Sequence, residues 1–243
     1  MQSLSVVTAA DPNRLNYLAA TQESVDALKK FVEFPVEWVL TLDGPTLQHV
    51  DGPDVVVEAA GAGGVAAARN LALSVASGDV IFPLDADDLA EPSGISRLMA
   101  LLDEREDLGW VSGNRLFVDG SRTPHWVEVE REWKPGEIGA SWTSPFYFHP
   151  NCLLVRRTLA LRAGGWPALR TNEDLALLFA VARLGNGCST SEILLRYRKW
   201  SGQVTSDNSY PVDKALAFKF IEQVENQWRE TLALPHIKNP QKL

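Results

Sequence analysis

The sequence predicts an α/β fold in which a mostly parallel β-sheet is flanked by helices. In the N-terminal half, short apolar runs typical of buried strands alternate with segments whose apolar residues recur at helical spacing. Such alternation is typical of a parallel sheet with connecting helices on both faces. After about residue 110, tryptophan- and proline-rich segments replace this pattern. We therefore expect two closely packed halves, 1–118 and 119–243, of which the second includes a smaller, mixed subdomain on the acceptor side.

The elements of the first half follow from their apolar spacing and their end signals. Strands are predicted at 4–8, 38–42, 55–57 and 80–84. Asp11 followed by Pro12 resembles an N-cap and a first helical residue, so we expect the first helix to begin there. An apolar stripe predicts a second helix at 65–76, with Gly78 as its C-cap. Apolar residues at 95, 98, 99 and 102 predict a third helix.

The second half contains elements of both types. Strands are predicted at 110–117 and 124–129, joined by a turn at Asp119 and Gly120. A short helix is expected to stop at Gly164 and Gly165. A helix at 171–183, a strand at 193–198, a polar segment at 201–209 and an amphipathic helix at 211–231 complete the chain.

The composition limits the classes of function. The formal net charge of −8 argues against nucleic acid as a partner, because binding a phosphate backbone requires a basic surface. We find neither an apolar run of the roughly 18 residues that span a bilayer nor a signal-peptide pattern. The two cysteines lack metal-ligand spacing, and a reducing compartment fits them best. We expect a cytoplasmic protein, or one peripheral to a membrane.

The segment 80–88 is the most informative part of the sequence. Its apolar strand runs directly into Asp85, Asp87 and Asp88. Because alternate side chains on a strand share a face, Asp85 and Asp87 are expected to point the same way. Carboxylates held this close repel each other unless a cation lies between them, and their hard oxygens suit Mg²⁺ or Mn²⁺. The alternative interpretation is a solvated loop that caps the following helix.

The order of several short motifs resembles that of family 2 glycosyltransferases, which have the GT-A fold. In the first half these motifs are SVVT at 5–8, ARNLA at 68–72, ASGDVI at 76–81 and LDADD at 84–88. In the second half they are LVRR at 154–157, GGW at 164–166, NED at 172–174 and RYR at 196–198. The resemblance covers roughly 4–206, and its specificity lies in the combination and order of the motifs. It implies a Rossmann-like sheet and the transfer of a sugar from a nucleotide donor to an acceptor hydroxyl, with inversion.

The resemblance also implies roles for residues at the donor. Asp87 would be the principal ligand of Mn²⁺ or Mg²⁺ in a DXD motif, Asp85 would reach the metal or the donor ribose, and Asp88 has helix capping as its alternative role. Arg69 would meet the base or the diphosphate, although without the neighbouring motifs it would be a solvated helix charge. Family frequency favours a uracil base. The other residues expected at the donor are Thr8, Ala10, Asp43, Arg198 and Gln203.

At the acceptor, the resemblance implies that Asp174 is the general base. A single displacement needs one carboxylate to deprotonate the attacking hydroxyl. Glu173 and Trp166 are expected to contact the acceptor, the latter because an indole face stacks on a sugar ring. The alternative for 171–174 is a capping box at a helix start, and the two roles are compatible. The acceptor is expected to be a carbohydrate or a small molecule, and a homodimer is a further expectation.

Two positions depart from the family pattern. Asp43 is a single acid where many members carry two after the second strand, so base recognition through two carboxylates is not expected. Trp200 lies where many members carry a histidine, so an imidazole contact to metal or phosphate is lost, and Arg198 or Lys199 would supply the positive charge. Gln203 belongs to the polar segment that is expected to close over the donor.

Two other classes of protein remain open. Gly61, Gly63 and Ala66 fit a dinucleotide-binding fingerprint, and Asp85 lies where a ribose-binding acid is expected, so an NAD(P)-dependent Rossmann oxidoreductase is one alternative. Two strands precede this loop and three acids follow it, which counts against that alternative. A non-catalytic binding protein with a GT-A-like fold is the other, and the presence of Asp85, Asp87 and Asp174 argues against it.

Overall fold

The computed structural model describes residues 2–12, 15–45, 50–61, 63–124, 130–142 and 149–236. Its strands are β1 (Leu4–Ala10), β2 (Val36–Leu42), β3 (Val55–Glu58), β4 (Val80–Pro83), β5 (Leu89–Ala90), β6 (Leu108–Phe117), β7 (Arg131–Trp133), β8 (Leu153–Arg156) and β9 (Asn186–Tyr197). Its helices are α1 (Leu18–Phe31), α2 (Val65–Val75), α3 (Pro92–Glu104), α4 (Glu137–Ala140), α5 (Arg157–Arg162), α6 (Glu173–Leu184) and α7 (Tyr210–Thr231). Short 3-10 turns, Leu15–Tyr17 and Val204–Ser206, precede α1 and α7. Among the described residues, no helix combines the length and the hydrophobicity needed to cross a lipid bilayer.

One sheet runs through both predicted halves, in the order β3-β2-β1-β4-β8-β6-β9-β5, with β7 also paired to β9. The strands β3, β2, β1 and β4 are parallel to their neighbours in this series. The strand β8 is antiparallel to β4 and β6, whereas β6 and β9 are parallel. The predicted α/β class is therefore confirmed, and each antiparallel pair of these strands involves β8 or β9.

Helices cover both faces of the sheet, as the alternation of elements predicts. Val6 and Val7 of β1 point to opposite faces because successive strand residues alternate. Val6 belongs to a core that includes residues of α1 and α3, and Val7 to a core that includes residues of α2, α5 and α6. Burial on two faces explains why the parallel strands read as continuous apolar runs in the sequence.

Two predicted helix ends are wrong. Asp11 and Pro12 do not begin the first helix: α1 begins at Leu18, after a 3-10 turn. Gly78 does not cap the second helix, because α2 ends at Val75 with Ala76 as its C-cap. Gly78 instead lies against β1, where a Cβ atom would meet the backbone nitrogen of Ser5. The glycine at position 78 therefore permits a close approach to Ser5 of β1 and does not end the helix α2.

The remaining predicted elements of the described chain are confirmed. The strand predicted at 110–117 falls within β6, the one predicted at 193–198 matches the end of β9 to within one residue, and the terminal helix is within one residue of its predicted start. Gly164 and Gly165, both with positive φ, follow the end of α5. The predicted strand at 124–129 and Trp126 lie largely outside the described residues.

The Gly164-Gly165 turn is fixed to α2 by one side chain. Asn70 accepts a hydrogen bond from the backbone N–H of Trp166 at 2.8 Å and donates one to the Trp166 carbonyl, also at 2.8 Å. Gly165 has φ +70° and lies so close to Asn70 that a Cβ atom would overlap the Asn70 amide oxygen. Gly164 has φ +85° and open space around its Cα. This contact holds the second half of the chain against the helix that carries Arg69.

Replacing Gly165 with alanine is expected to destabilise the protein more than replacing Gly164. Both substitutions place a Cβ on a left-handed backbone, at a cost of roughly 1–2 kcal/mol. Only Gly165→Ala also displaces Asn70, and such overpacking adds about 1–3 kcal/mol. Urea unfolding of the two variants measures the difference. An equal loss in both would contradict the proposed Asn70 contact.

Candidate active site

A cleft of about 740 Å³ opens at the carboxyl ends of β1 and β4. Ligands of parallel α/β sheets bind at this end of the strands. Residues of both halves line the cleft, among them Ala10, Arg69, Asp85, Asp87, Arg115, Asn151, Glu173, Asp174, Trp200, Gln203 and Tyr210. The predicted donor and acceptor residues therefore meet in one cavity, except for those considered below.

The acidic turn after β4 gathers three carboxylates. Asp85, Asp87 and Asp88 each offer an oxygen, and these oxygens lie within 4.8 Å of one another. Asp88 is fully buried, and its Oδ1 accepts a hydrogen bond from the backbone N–H of Arg198 at 2.9 Å. Its Oδ2 is buried without a hydrogen-bond partner. A buried oxygen without a partner beside two further carboxylates is a donor set that fits a divalent cation. Asp88 does not cap the following helix, because the N-cap of α3 is Glu91.

Electrostatics also indicate that this turn carries excess negative charge. Burial raises the pKa of Asp87, and the neighbouring Asp85 raises it further. Burial raises the pKa of Asp88 well above its ordinary value, with further contributions from Asp85 and Asp87. Both shifts mean that a charged carboxylate is disfavoured here until a positive charge arrives.

Arg69 joins the acidic turn to the start of α6. Its guanidinium is buried and forms ion pairs with Asp85 and Glu173. Burial alone would lower the pKa of Arg69, but these two carboxylates outweigh burial and raise it. Burial raises the pKa of Glu173 to about 7, against the opposing attraction of Arg69. Arg69 is therefore not the solvated helix charge that its position alone would predict.

Asp174 lies in the first turn of α6 and lines the cleft. Its Oδ1 accepts the backbone N–H of Leu175 at 2.7 Å. Burial raises the pKa of Asp174, while Arg69 and the Leu175 N–H lower it. The capping box predicted as the alternative does not form: the N-cap is Asn172, with φ 57°, and its side chain makes no capping hydrogen bond. The carboxylate thus faces the cleft and satisfies one helix N–H at the same time.

Two predicted ligand contacts are wrong. Trp166 is 2% exposed and packs in the core beside Arg69, so its indole face does not form an acceptor platform. The Thr8 side chain is fully buried, and its hydroxyl accepts the indole N–H of Trp38 at 3.0 Å. Both residues belong to motifs of the resemblance, but their side chains point into the interior and support the fold.

Asp43 and Arg198 bind other parts of the chain. Asp43 accepts the backbone N–H groups of Gly63 at 2.7 Å and Gly64 at 3.0 Å, immediately before α2. A pyrophosphate in a dinucleotide-binding loop would need such N–H groups, so this pairing counts against the oxidoreductase alternative. The Arg198 Nε donates to the Asp87 carbonyl at 3.0 Å, which attaches Arg198 to the acidic turn.

Arg115 is a cleft residue that the sequence analysis missed. Its guanidinium carbon lies 4.1 Å from the ring centre of Tyr197, and its Nη1 lies 3.4 Å from the Asn151 Oδ1. The charge of Arg115 also lowers the pKa of both Asp88 and Asp174. A polar pair, Asn114 and Arg115, inside an otherwise apolar strand was the available sequence signal.

The sheet and the cleft define an α/β protein of the GT-A class, in which an acidic turn and a carboxylate at a helix start share one site. The family model described as Glycosyl transferase family 2 matches residues 16–162, and the chain belongs to this family. Comparison with curated protein sequences finds no match.

Solved structures with similar folds include those of two proteins, TarS and PcManGT. TarS 1-349 of S. aureus in complex with UDP-GlcNAc has a TM-score of 0.69 and 21% identity, over 92% of this chain and 66% of that one. TarS 1-349 without a named ligand gives 0.66 and 19%, over 92% and 65%. The mannosyltransferase PcManGT of Pyrobaculum calidifontis, in complex with GDP-Man and Mn2+, gives 0.61 and 17%, over 99% and 67%. The chain thus spans slightly less than two thirds of TarS 1-349, and these similarities show the fold.

Arg69→Met is expected to destabilise the protein strongly at pH 8, where Glu173 is ionised. Removing one partner of a buried ion pair leaves an uncompensated charge, which costs about 3–5 kcal/mol. At pH 5, below the pKa of about 7, Glu173 is protonated and the loss is expected to be smaller. Adding Glu173→Gln to Arg69→Met is expected to recover part of the loss at pH 8. Urea unfolding at both pH values measures this, and a pH-independent loss without recovery would contradict the charge-pair explanation.

Proposed function

We propose that the protein is a metal-dependent inverting glycosyltransferase. It moves a sugar from a nucleoside diphosphate sugar to an acceptor hydroxyl in a single displacement. The observation that carries the proposal is that Asp85 and Asp87 of the acidic turn and the carboxylate of Asp174 line the same cleft from opposite halves of the chain, with Asp88 clustered behind the first two. Residues 1–118 then bind the donor, and residues 119–243 supply the acceptor side and the base.

The proposed metal ligands are Asp85, Asp87 and Asp88. A bound Mn²⁺ or Mg²⁺ would neutralise the negative charge that develops on the leaving diphosphate. Support comes from the three clustered carboxylates and the buried Asp88 Oδ2 without a partner. The complex of PcManGT with GDP-Man and Mn2+ is consistent with a metal in this fold. The role of Asp88 as a ligand extends the DXD pair expected from the motif.

The donor is proposed to be a UDP-sugar. TarS, which is similar in fold, has been crystallised with UDP and with UDP-GlcNAc. Ala10 at the end of β1 and Arg69 on α2, which pairs with Asp85, line the cleft and can contact the nucleotide there. Asp43 would contribute to base recognition indirectly, because it binds the backbone N–H groups of Gly63 and Gly64 and so fixes the loop before α2.

Asp174 is the proposed general base. A carboxylate removes a proton most effectively when its pKa lies near the working pH, and burial moves the pKa of Asp174 in that direction. Glu173 is held by Arg69 beside it, so the base sits at a fixed place relative to Asp85. On the acceptor side, Glu173 and Arg115 line the cleft next to Asp174 and would orient the attacking hydroxyl.

Asp87→Ala is expected to abolish metal-dependent donor binding. Calorimetry with UDP, with and without Mn²⁺, measures this, and NAD serves as the ligand that an oxidoreductase would bind instead. Asp103→Ala, which removes an exposed carboxylate of α3, is the matched control and should bind as the unmodified protein does. Binding of UDP that does not depend on Mn²⁺, or that survives Asp87→Ala, would contradict the metal assignment.

Asp174→Asn is expected to keep Mn²⁺-dependent UDP binding and to lose turnover by about 10²–10⁴-fold, the contribution of a general base. The amide preserves the size of the side chain but cannot accept the proton. The assay follows UDP release from UDP-glucose and UDP-GlcNAc with Mn²⁺ and a panel of carbohydrate acceptors, and a thermal-shift screen with Mn²⁺ selects the donor. Full activity in Asp174→Asn would remove the base assignment.

A further inference from the structure

The segment 198–203, here called the Trp200 loop, covers the acidic turn. The indole Nε1 of Trp200 donates a hydrogen bond to the Asp87 Oδ2 at 2.6 Å, and the Gln203 Nε2 lies 3.4 Å from the same oxygen. We propose that Trp200 is a positioning residue whose indole N–H holds Asp87 in the orientation that binds the divalent cation. This inference rests on the metal site of the proposed function.

The indole N–H can act only through Asp87. An indole nitrogen donates a hydrogen bond and has no lone pair with which to ligate a metal, unlike the histidine that the family resemblance predicts at this position. Asp87 is flanked by Asp85 and Asp88, and the carboxylate oxygens of the three residues lie within 4.8 Å of one another, so like charges repel each other here. Repulsion would turn the Asp87 carboxylate away from its neighbours. A donor fixed on one oxygen opposes that rotation and leaves the direction of the other oxygen defined.

The Trp200 loop is itself held in place by several contacts. The backbone N–H of Trp200 donates to the Gln203 Oε1 at 3.2 Å, and the Gln203 Nε2 donates to the Arg198 carbonyl at 2.7 Å. The ring of Trp200 lies 5.3 Å from the ring of Tyr17, and the Arg198 guanidinium lies 4.5 Å from that same ring. These contacts brace the Trp200 loop. The indole N–H is therefore held at a fixed place next to Asp87, as a positioning role requires.

The test separates the hydrogen bond from the ring packing. Trp200→Phe keeps an aromatic ring against Tyr17 but removes the N–H, whereas Tyr17→Leu weakens the packing and keeps the N–H. Mn²⁺ affinity is measured in the presence of UDP, by calorimetry and by the electron paramagnetic resonance signal of free Mn²⁺. Loss of a hydrogen bond to a ligating group typically lowers metal affinity by about 10–100-fold. We expect this loss in Trp200→Phe and a smaller loss in Tyr17→Leu, which keeps the N–H but removes part of the packing that braces the loop.

A second pair of measurements distinguishes positioning from a general loss of structure. In Trp200→Phe, the Mn²⁺ concentration for half-maximal UDP release should rise by the same factor, while kcat at saturating Mn²⁺ stays close to that of the unmodified protein. Gln203→Leu removes the longer contact to the same oxygen together with the two hydrogen bonds by which Gln203 braces the Trp200 loop, so it should also weaken Mn²⁺ binding, and it serves if Trp200→Phe does not fold.

Three outcomes would overturn an assignment. Unchanged Mn²⁺ affinity in Trp200→Phe, or in Gln203→Leu if that variant must serve, removes the positioning role. An equal loss in Trp200→Phe and Tyr17→Leu assigns the effect to ring packing and also removes it. If the unmodified protein binds no Mn²⁺ with UDP, the metal site of the proposed function fails first, and the role of Trp200 fails with it.

Discussion

The buried guanidinium of Arg69 is the interaction on which the arrangement of the site depends. It pairs with Asp85 after β4 and with Glu173 at the start of α6, so one side chain joins the two halves of the chain. Asp174 directly follows Glu173, and the same ion pair therefore also fixes the place of the proposed base. Without this positive charge, five carboxylates would lie in or next to a cleft where burial already disfavours the charged form of most of them.

Arg69 can serve this purpose because the helix that carries it is fixed at two points. Asp43 binds the N–H groups of Gly63 and Gly64 at the start of α2, and Asn70 binds the backbone of Trp166 from the next position after Arg69. The favourable contacts of a buried charge depend on accurate geometry, since its desolvation is costly. Of the residues that form these attachments, Asn70 and Trp166 lie in the motifs shared with the family, although neither needs to touch a ligand.

Local sequence patterns predicted the elements well and the directions of side chains less well. Apolar runs and helical spacing predicted β1 to β4, β6 and the helix α3, because these signals need only neighbouring residues, whereas the short strands β5, β7 and β8 were not predicted. Trp166 and Thr8 were predicted to contact ligands from their motifs, yet both point into the core. Arg69 has its partner Glu173 at a sequence separation of 104 residues, and such a pairing is invisible to any local pattern. The sequence showed only that Trp200 replaces a histidine of the family pattern. The positioning role proposed for Trp200 rests on its contact with Asp87, which only the structure shows.

The charge balance of the cleft determines how the cation and the nucleotide are expected to influence each other's binding. Arg69 and Arg115 offset part of the charge of the carboxylates, yet the pKa values of Asp87, Asp88, Glu173 and Asp174 all remain raised. A diphosphate that enters this cleft by itself meets like charge, and a divalent cation alone lacks the phosphate oxygens that would complete its coordination. Each therefore favours the binding of the other, because the cation removes the repulsion and the diphosphate supplies the missing ligands. Cation and nucleotide are thus expected to bind cooperatively, a consequence of how many carboxylates the fold gathers around one buried arginine.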